Sequence, residues 1–342
     1  MTDREHTTTA DSGPTGPARN PRDGGMDNAT VVGEAAVPFD RTSDAGEALH
    51  GHRSLWGDVW REFRNHKGAM AGTAVFGFII LVVCFGGFIH DVDPQFLNIR
   101  DKNQGMSWAH PLGTDNLGRD MLAQLIAGGR VSLLVGVVAM LLSLFLGALI
   151  GVIAGFFRAL DGPLMRLTDL FLALPILPLL LVIIMLFRDP LRKVMGPEAG
   201  IFALVVFIIG ITSWMQTARI VRGDVLALKE REFVLAAQSI GTRPWKTVLR
   251  HIFPNVLSPI MVSATLGIAS AIITESALSF LGLGFPSDYP TWGRLLFDGK
   301  DFIQLTPTRV LWPGLAISLT VLSVNYIGDG LRDALDPRIR GR

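Results

Sequence analysis

Side chains whose types and spacing could do chemistry gather in two parts of this 342-residue chain. The first is the stretch from Arg219 to Asn255, where Arg231, Arg243, Lys246 and Arg250 surround the small residues Ala236 and Ala237. Lys229–Ile240 is predicted to be helical, with Gly241 placed to end it. Pro244 suits the first turn of a second short helix, and Pro254 is expected to close that one. Ala236 and Ala237 expose almost no side chain, so another surface can approach closely. The chemistry is that of docking: a helix-turn-helix through which a cytoplasmic partner moves two attached spans, or a plain amphipathic loop on a lipid surface. The second part is a set of polar residues inside apolar runs: Ser263, Thr265, Ser270, Thr274 and Glu275, then Ser318, Thr320, Ser323 and Asn325. The uncharged ones either line a wet path or bond neighbouring helices and their own backbone. Glu275 is the one acidic group expected within the membrane thickness. It lines a path or gate, or it is paired or hydrated at the outer surface.

Bond-making motifs are missing. The sequence has no GxxxxGK[ST] phosphate loop, no HExxH and no GxSxG. Nothing therefore supports nucleotide hydrolysis, metalloprotease or serine-hydrolase chemistry, and no cofactor or metal is expected on this chain. A single cysteine, Cys84, excludes an intrachain disulfide framework and a multi-cysteine zinc site. A net charge of +1 gives no electrostatic case for nucleic acid.

The elements that must position these residues emerge once the averages are split. Apolar residues make up 49% and charged residues 18%, with a mean hydropathy of +0.40. Residues 1–50 hold four Arg against nine Asp or Glu, a net of −5, and few large apolar side chains. Such a segment cannot bury enough surface to offset its ordering entropy, so it is expected to be a disordered acidic tail. It also lacks the basic start and early apolar core of a signal peptide. The remainder carries +6 and six apolar stretches free of Asp, Glu, Lys and Arg: Ala69–Ile89, Val131–Phe157, Leu170–Phe187, Gly200–Trp214, Val256–Ile273 and Val310–Ile327. A spanning helix needs about 20 such residues. The third stretch should kink at Pro175 and Pro178, and the fourth is short unless it continues through Met215–Ile220.

With a cytoplasmic N-terminus, the inner segments 51–68, 158–169, 215–255 and 328–342 hold 17 basic residues. The outer loops 90–130, 188–199 and 274–309 hold 10, so the bias places both termini inside. Ahead of the first span, Leu55, Trp56, Val59, Trp60 and Phe63 share one helical face, with Arg53, Arg61, Arg64 and Lys67 over much of the rest. This suggests an amphipathic helix in the membrane interface, or a continuation of the first span. Gly147, Gly151 and Gly155 recur every four residues and read as a helix-packing ridge.

Several motifs carry a strong family resemblance. Glu232–Gly241, followed by Pro254 thirteen residues after the glycine, resembles the EAA loop of ABC importer permeases, with Glu232, Phe233, Ala236, Ala237, Gly241, Arg243 and Pro254 as coupling positions. Leu235, His251 and Phe253 replace the usual Glu, Ile and Leu. HPLGTDNLGRD at 110–120, ITESALSFLGLG at 273–284, PTWGRLL at 290–296 and GDGLRDALDPRIR at 328–340 resemble C-type subunits of the dipeptide, oligopeptide and nickel permeases. The resemblance runs from about residue 53 to the C-terminus. It implies an all-α integral membrane protein of the type I ABC importer permease fold, moving di- or oligopeptides, nickel, glutathione or another small solute. The order would be tail 1–50, interfacial helix 51–68, first span and outer loop 69–130, permease core 131–330 with coupling loop 219–255, and tail 331–342. The implied partners are a B-type permease, two cytoplasmic ABC ATPases that carry ATP and Mg, and an extracytoplasmic substrate-binding protein, assembled in a bacterial cytoplasmic membrane. Glu275, Ser263, Thr265, Ser270 and Asn325 are the candidates for the path.

Overall fold

The computed structural model describes residues 55–335. The expected acidic tail lies outside these residues. Of the expected C-terminal tail, only 331–335 is described, as the end of a helix. The regular elements are α1 (Leu55–Asn65), α2 (Lys67–Ile89), α3 (Met121–Phe156), α4 (Arg158–Ala173), α5 (Ile176–Met195) and α6 (Pro197–Lys229), then α7 (Glu232–Ser239), α8 (Pro244–Thr247), α9 (Phe253–Phe280), α10 (Trp292–Gly299) and α11 (Thr308–Leu335). Among the described residues the sole β feature is an isolated antiparallel bridge between Thr114 and Asp120.

Five continuous helical runs are long and apolar enough to cross a membrane: α2, α3, α6, Pro244–Phe280 and α11. The bent pair α4–α5 makes a sixth, turning by 87°. The bend falls where the prolines predict it. Leu174, ahead of Pro175, is extended at φ −78° and ψ 139°, because a following proline disfavours the helical region. Pro178 sits in the first turn of α5, where no N–H is needed. The expected outer loop 188–199 is a correction: α5 runs to Met195 and α6 begins at Pro197, leaving only Gly196 between them. Gly196 has φ +86°, which lets the chain reverse in one residue. The charges at 188–193 had signalled a loop, but they ride on the end of α5. The fourth span is also longer than its apolar core, since α6 has 33 residues, or about 50 Å of helix.

Packing centres on α3 against α6. The glycine ridge faces α6 directly: a Cβ built at Gly147, Gly151 or Gly155 would come within 2.7, 2.6 and 2.7 Å of Thr217, Ala218 and Val225. Without side chains there, the two backbones close up, and dispersion contacts replace lipid. Val135 and Ala139 of α3, Leu180 and Ile184 of α5, the Ile201–Ile209 segment of α6 and Leu278 of α9 form the largest apolar cluster.

At the start, α1 is a separate helix and not a continuation of α2. His66 breaks the chain and caps α2, its Nδ1 accepting from Ala69 N at 2.9 Å. Val59 is buried and Phe63 lies beside Gly330 of α11, while Trp60 points outward. The 110–120 motif forms a cap on α3. Asp120 accepts from Ala123 N at 2.7 Å and is flanked by His90 at 3.0 Å and His110 at 2.8 Å. The described residues 55–335 fall in one contact unit.

Candidate functional site

The coupling segment is built on the lower ends of α3, α6 and α9. Lys229 Nζ donates to Phe156 O at 2.9 Å, tying the end of α6 to the end of α3. The helix predicted over Lys229–Ile240 starts later than expected, because α6 ends at Lys229 and the chain turns at Glu230 and Arg231 before α7. Val234, buried completely, plugs α7 into a cluster with Val152, Val221, Val225, Val248, Ile252 and Val256. Ala237 is buried on that same inward face, so it belongs to packing and not to the exposed docking surface. Ala236, Glu232, Phe233 and Leu235 face outward. Gly241 ends α7 at φ +78°, with Gly241 N donating to Gln238 O at 2.9 Å and Thr242 N to Ala237 O at 3.1 Å. This paired closure satisfies two orphan carbonyls and needs a residue free to adopt positive φ. Arg243 caps α8, with Pro244 in its first turn.

Pro254 is a second correction. It does not close α8; it opens α9. Between them Val248–Ile252 winds as a π turn, with Phe253 N donating to Val248 O. Proline cannot donate, and its ring would crowd the carbonyl four residues back. The wider turn removes both problems, so the helix runs on from Pro244 to Phe280.

Beside this segment opens a groove of about 1380 Å³, walled by α6 and α9 and edged by the α4–α5 break at Phe171, Leu174 and Ile176. On α9 the wall reaches from Asn255 to Thr274, about 29 Å of helix, close to the thickness of a bilayer's hydrocarbon core. On α6 it follows one helical row: Thr212, Gln216, Ile220, Asp224 and Leu228. Ser263 and Ser270 line it, as does Thr274, whose Oγ1 donates to Ser270 O at 2.8 Å. Ser263 Oγ also sits 2.9 Å from Thr217 Oγ1 across the α6–α9 interface. The groove is therefore mostly apolar, with scattered hydroxyls and amides, and uncharged along most of its length.

Residues 143–341 match the family described as the inner membrane component of binding-protein-dependent transport systems. This chain belongs to that family. Residues 54–105 match the N-terminal transmembrane domain of oligopeptide transport permease C. The permease is 38% identical over 288 residues to an oligopeptide transport system permease protein of Bacillus subtilis, covering 84% of this chain and 91% of the relative. It is 36% identical to a dipeptide transport system permease protein of Alkalihalophilus pseudofirmus, with the same coverage. A glutathione transport system permease protein of Pectobacterium atrosepticum is 34% identical, over 84% of this chain and 93% of the relative. The bundle described above is the type I importer permease fold.

The remaining path candidates of the permease lie off the groove. Glu275 is fully buried between α3, α9 and α10, accepting from Ser132 Oγ at 3.1 Å and Ser279 Oγ at 2.8 Å. Ser132 Oγ in turn accepts from Trp292 N at 3.2 Å, so the carboxylate anchors the start of α10. It is not part of the groove wall, and it is buried rather than hydrated at a surface. Thr265 donates to Val262 O and lies against Gly328 of α11, and Asn325 is not part of the groove wall. Thr265 thus bonds its own helix backbone at a helix contact. Conversely, Thr212, Gln216 and Asp224 also line the groove: Thr212 and Gln216 lie within the fourth span or its considered extension, and Asp224 lies beyond it. The four-residue spacing of Thr212, Gln216, Ile220 and Asp224 is the signal that finds them.

Proposed function

We propose that this chain is the C-type transmembrane subunit of an ATP-driven importer, moving di- or oligopeptides inward across the bacterial cytoplasmic membrane. The observation that carries this reading is the near full-length similarity to oligopeptide and dipeptide permeases. The groove agrees with it: a peptide backbone offers many donors and acceptors, and a wall of apolar side chains interspersed with hydroxyls and amides, uncharged along most of its length, tolerates varied side chains. A B-type permease would supply the facing wall. Two ATPases would dock on the α7–α8 segments, one per permease, and hydrolyse ATP, since this chain has no phosphate-loop motif. An extracytoplasmic binding protein would deliver the substrate. ATP binding favours one of two rigid-body arrangements, and α7–α8 carries that preference into α6 and α9. Both termini would face the cytoplasm, supported by the excess of basic residues in the segments on that side. The same assembly working on glutathione is a second reading, favoured by the Pectobacterium relative.

The test is uptake by cells expressing the assembled transporter, with radiolabelled trialanine and radiolabelled glutathione offered separately. Trialanine uptake that is lost on deleting this chain supports the peptide reading. Glutathione uptake without trialanine uptake replaces it.

A further inference from the structure

The charges that line the groove gather at its α7 end: Asp224 on α6, Arg231 just ahead of α7, and Arg332 on α11. Among the described residues, none of these three side chains makes an ion pair or a side-chain hydrogen bond. The other charges on the lower half of α6 behave differently. Arg219 is tied to Asp169, and Arg222 to Asp161, both on α4. At about 100° per residue, Asp224 lies about 140° round α6 from Arg219 and about 200° from Arg222. Neither arginine of its own helix therefore shares its face, and that face is the groove.

Asp224 is half-buried, and an unpaired carboxylate partly withdrawn from water on a spanning helix is costly to keep, whereas Arg231 and Arg332 are exposed. Here one negative and two positive groups line one cavity, separated and uncompensated. The complement of such an arrangement is a ligand that brings both charges at once. We infer that this end of the groove is a station for a zwitterionic substrate, in which Asp224 accepts the ammonium group at one end and Arg332, with Arg231, binds the carboxylate at the other. Charge-assisted hydrogen bonds would orient the substrate along the groove. Because the groups are partly solvated, each contact is weak, which suits a station that must release its cargo. The inference rests on the peptide reading and names which parts of the peptide this chain holds.

The assay uses the assembled transporter in nanodiscs, without nucleotide or binding protein, and equilibrium dialysis of radiolabelled trialanine, N-acetyl-trialanine and trialanine amide. Asp224→Asn is expected to weaken trialanine about threefold and to leave N-acetyl-trialanine unchanged. Arg332→Gln is expected to weaken trialanine and its N-acetyl form, but not the amide. Asp224→Glu should restore the wild-type pattern, which a purely structural role would not predict. Equal weakening of all three probes by Asp224→Asn, or no change with any, overturns the assignment. So does an absence of trialanine binding to the wild-type complex when cells do take trialanine up. If cells take up no peptide at all, the peptide reading itself fails, and this station falls with it.

Discussion

The α3–α6 interface makes a quantitative prediction at Gly151. A Cβ there would sit 2.6 Å from Ala218 O and 2.8 Å from Val221 Cβ. Ordinary contact begins near 3.4 Å, so Gly151→Ala requires the two helices to part by about 0.8 Å against a backbone carbonyl that cannot rotate away. Overpacking of that kind costs about 1–3 kcal/mol. Replacing glycine within a helix returns about 0.5–1 kcal/mol, so a net loss centred on about 1 kcal/mol, and no more than about 2.5 kcal/mol, is expected. Gly223, on α6 and clear of any neighbour within 4 Å, is the control. There Gly223→Ala keeps only the helix gain, about 0.5–1 kcal/mol of stabilisation. The variants should diverge in thermal unfolding of the purified protein in detergent, with Gly151→Ala below wild type by about 2–4 °C per kcal/mol and Gly223→Ala at or above it. Gly151→Ala as stable as wild type, or both variants moving together, would refute the close-packed ridge.

Glu275→Ala leaves the Ser132 and Ser279 hydroxyls without their acceptor in a buried site, at about 1–3 kcal/mol each. Unfolding should come earlier by several degrees, with Glu275→Gln intermediate; an unchanged transition would show that the anchor is dispensable. Gly241→Val forces a β-branched residue to φ +78° where no atom blocks it sterically, so the protein should insert normally while the turn geometry fails. Substrate-stimulated ATP hydrolysis in the reconstituted assembly should then fall about fivefold or more, and normal stimulation would sink the coupling assignment. In a variant whose exposed Cys84 is replaced, a cysteine introduced by Ser12→Cys should resist an impermeant maleimide in intact cells; labelling would place the N-terminus outside.

What the sequence disclosed follows from how locally each feature is determined. The spans, the bend at Pro175 and the closure at Gly241 depend on hydropathy or on one residue's backbone limits, and all three were legible. The amphipathic α1 was legible too, through its periodicity. Pro254 misled because a proline usually ends a helix, and nothing local announces that five residues will widen into a π turn to carry the helix through. The charged run at Arg188–Lys193 misled in the same way: charge marks the membrane's edge, but does not stop a helix. Burial was the least legible property. Glu275 and Ser263 are both polar residues in one apolar helix, and only the placement of α3, α6 and α10 around α9 decides which meets the groove and which meets hydroxyls. Asp224 escaped notice because a charge count treats everything beyond Arg219 as loop, whereas α6 extends 10 residues further to Lys229.

The uninterrupted run from Pro244 to Phe280 has a mechanical consequence. Its 37 residues form a pushrod about 55 Å long with its foot at Trp245, exposed on the α8 surface, and its head beyond Thr274 in the groove wall. No slack connector lies along it to absorb displacement. Compliance is concentrated at two neighbouring joints, the π turn and Pro259 just beyond it, where the hydrogen-bond ladder is least regular. A load applied at the foot therefore reaches the groove as tilt and twist of a single beam, and the stiffness of those two joints sets how much of the stroke arrives.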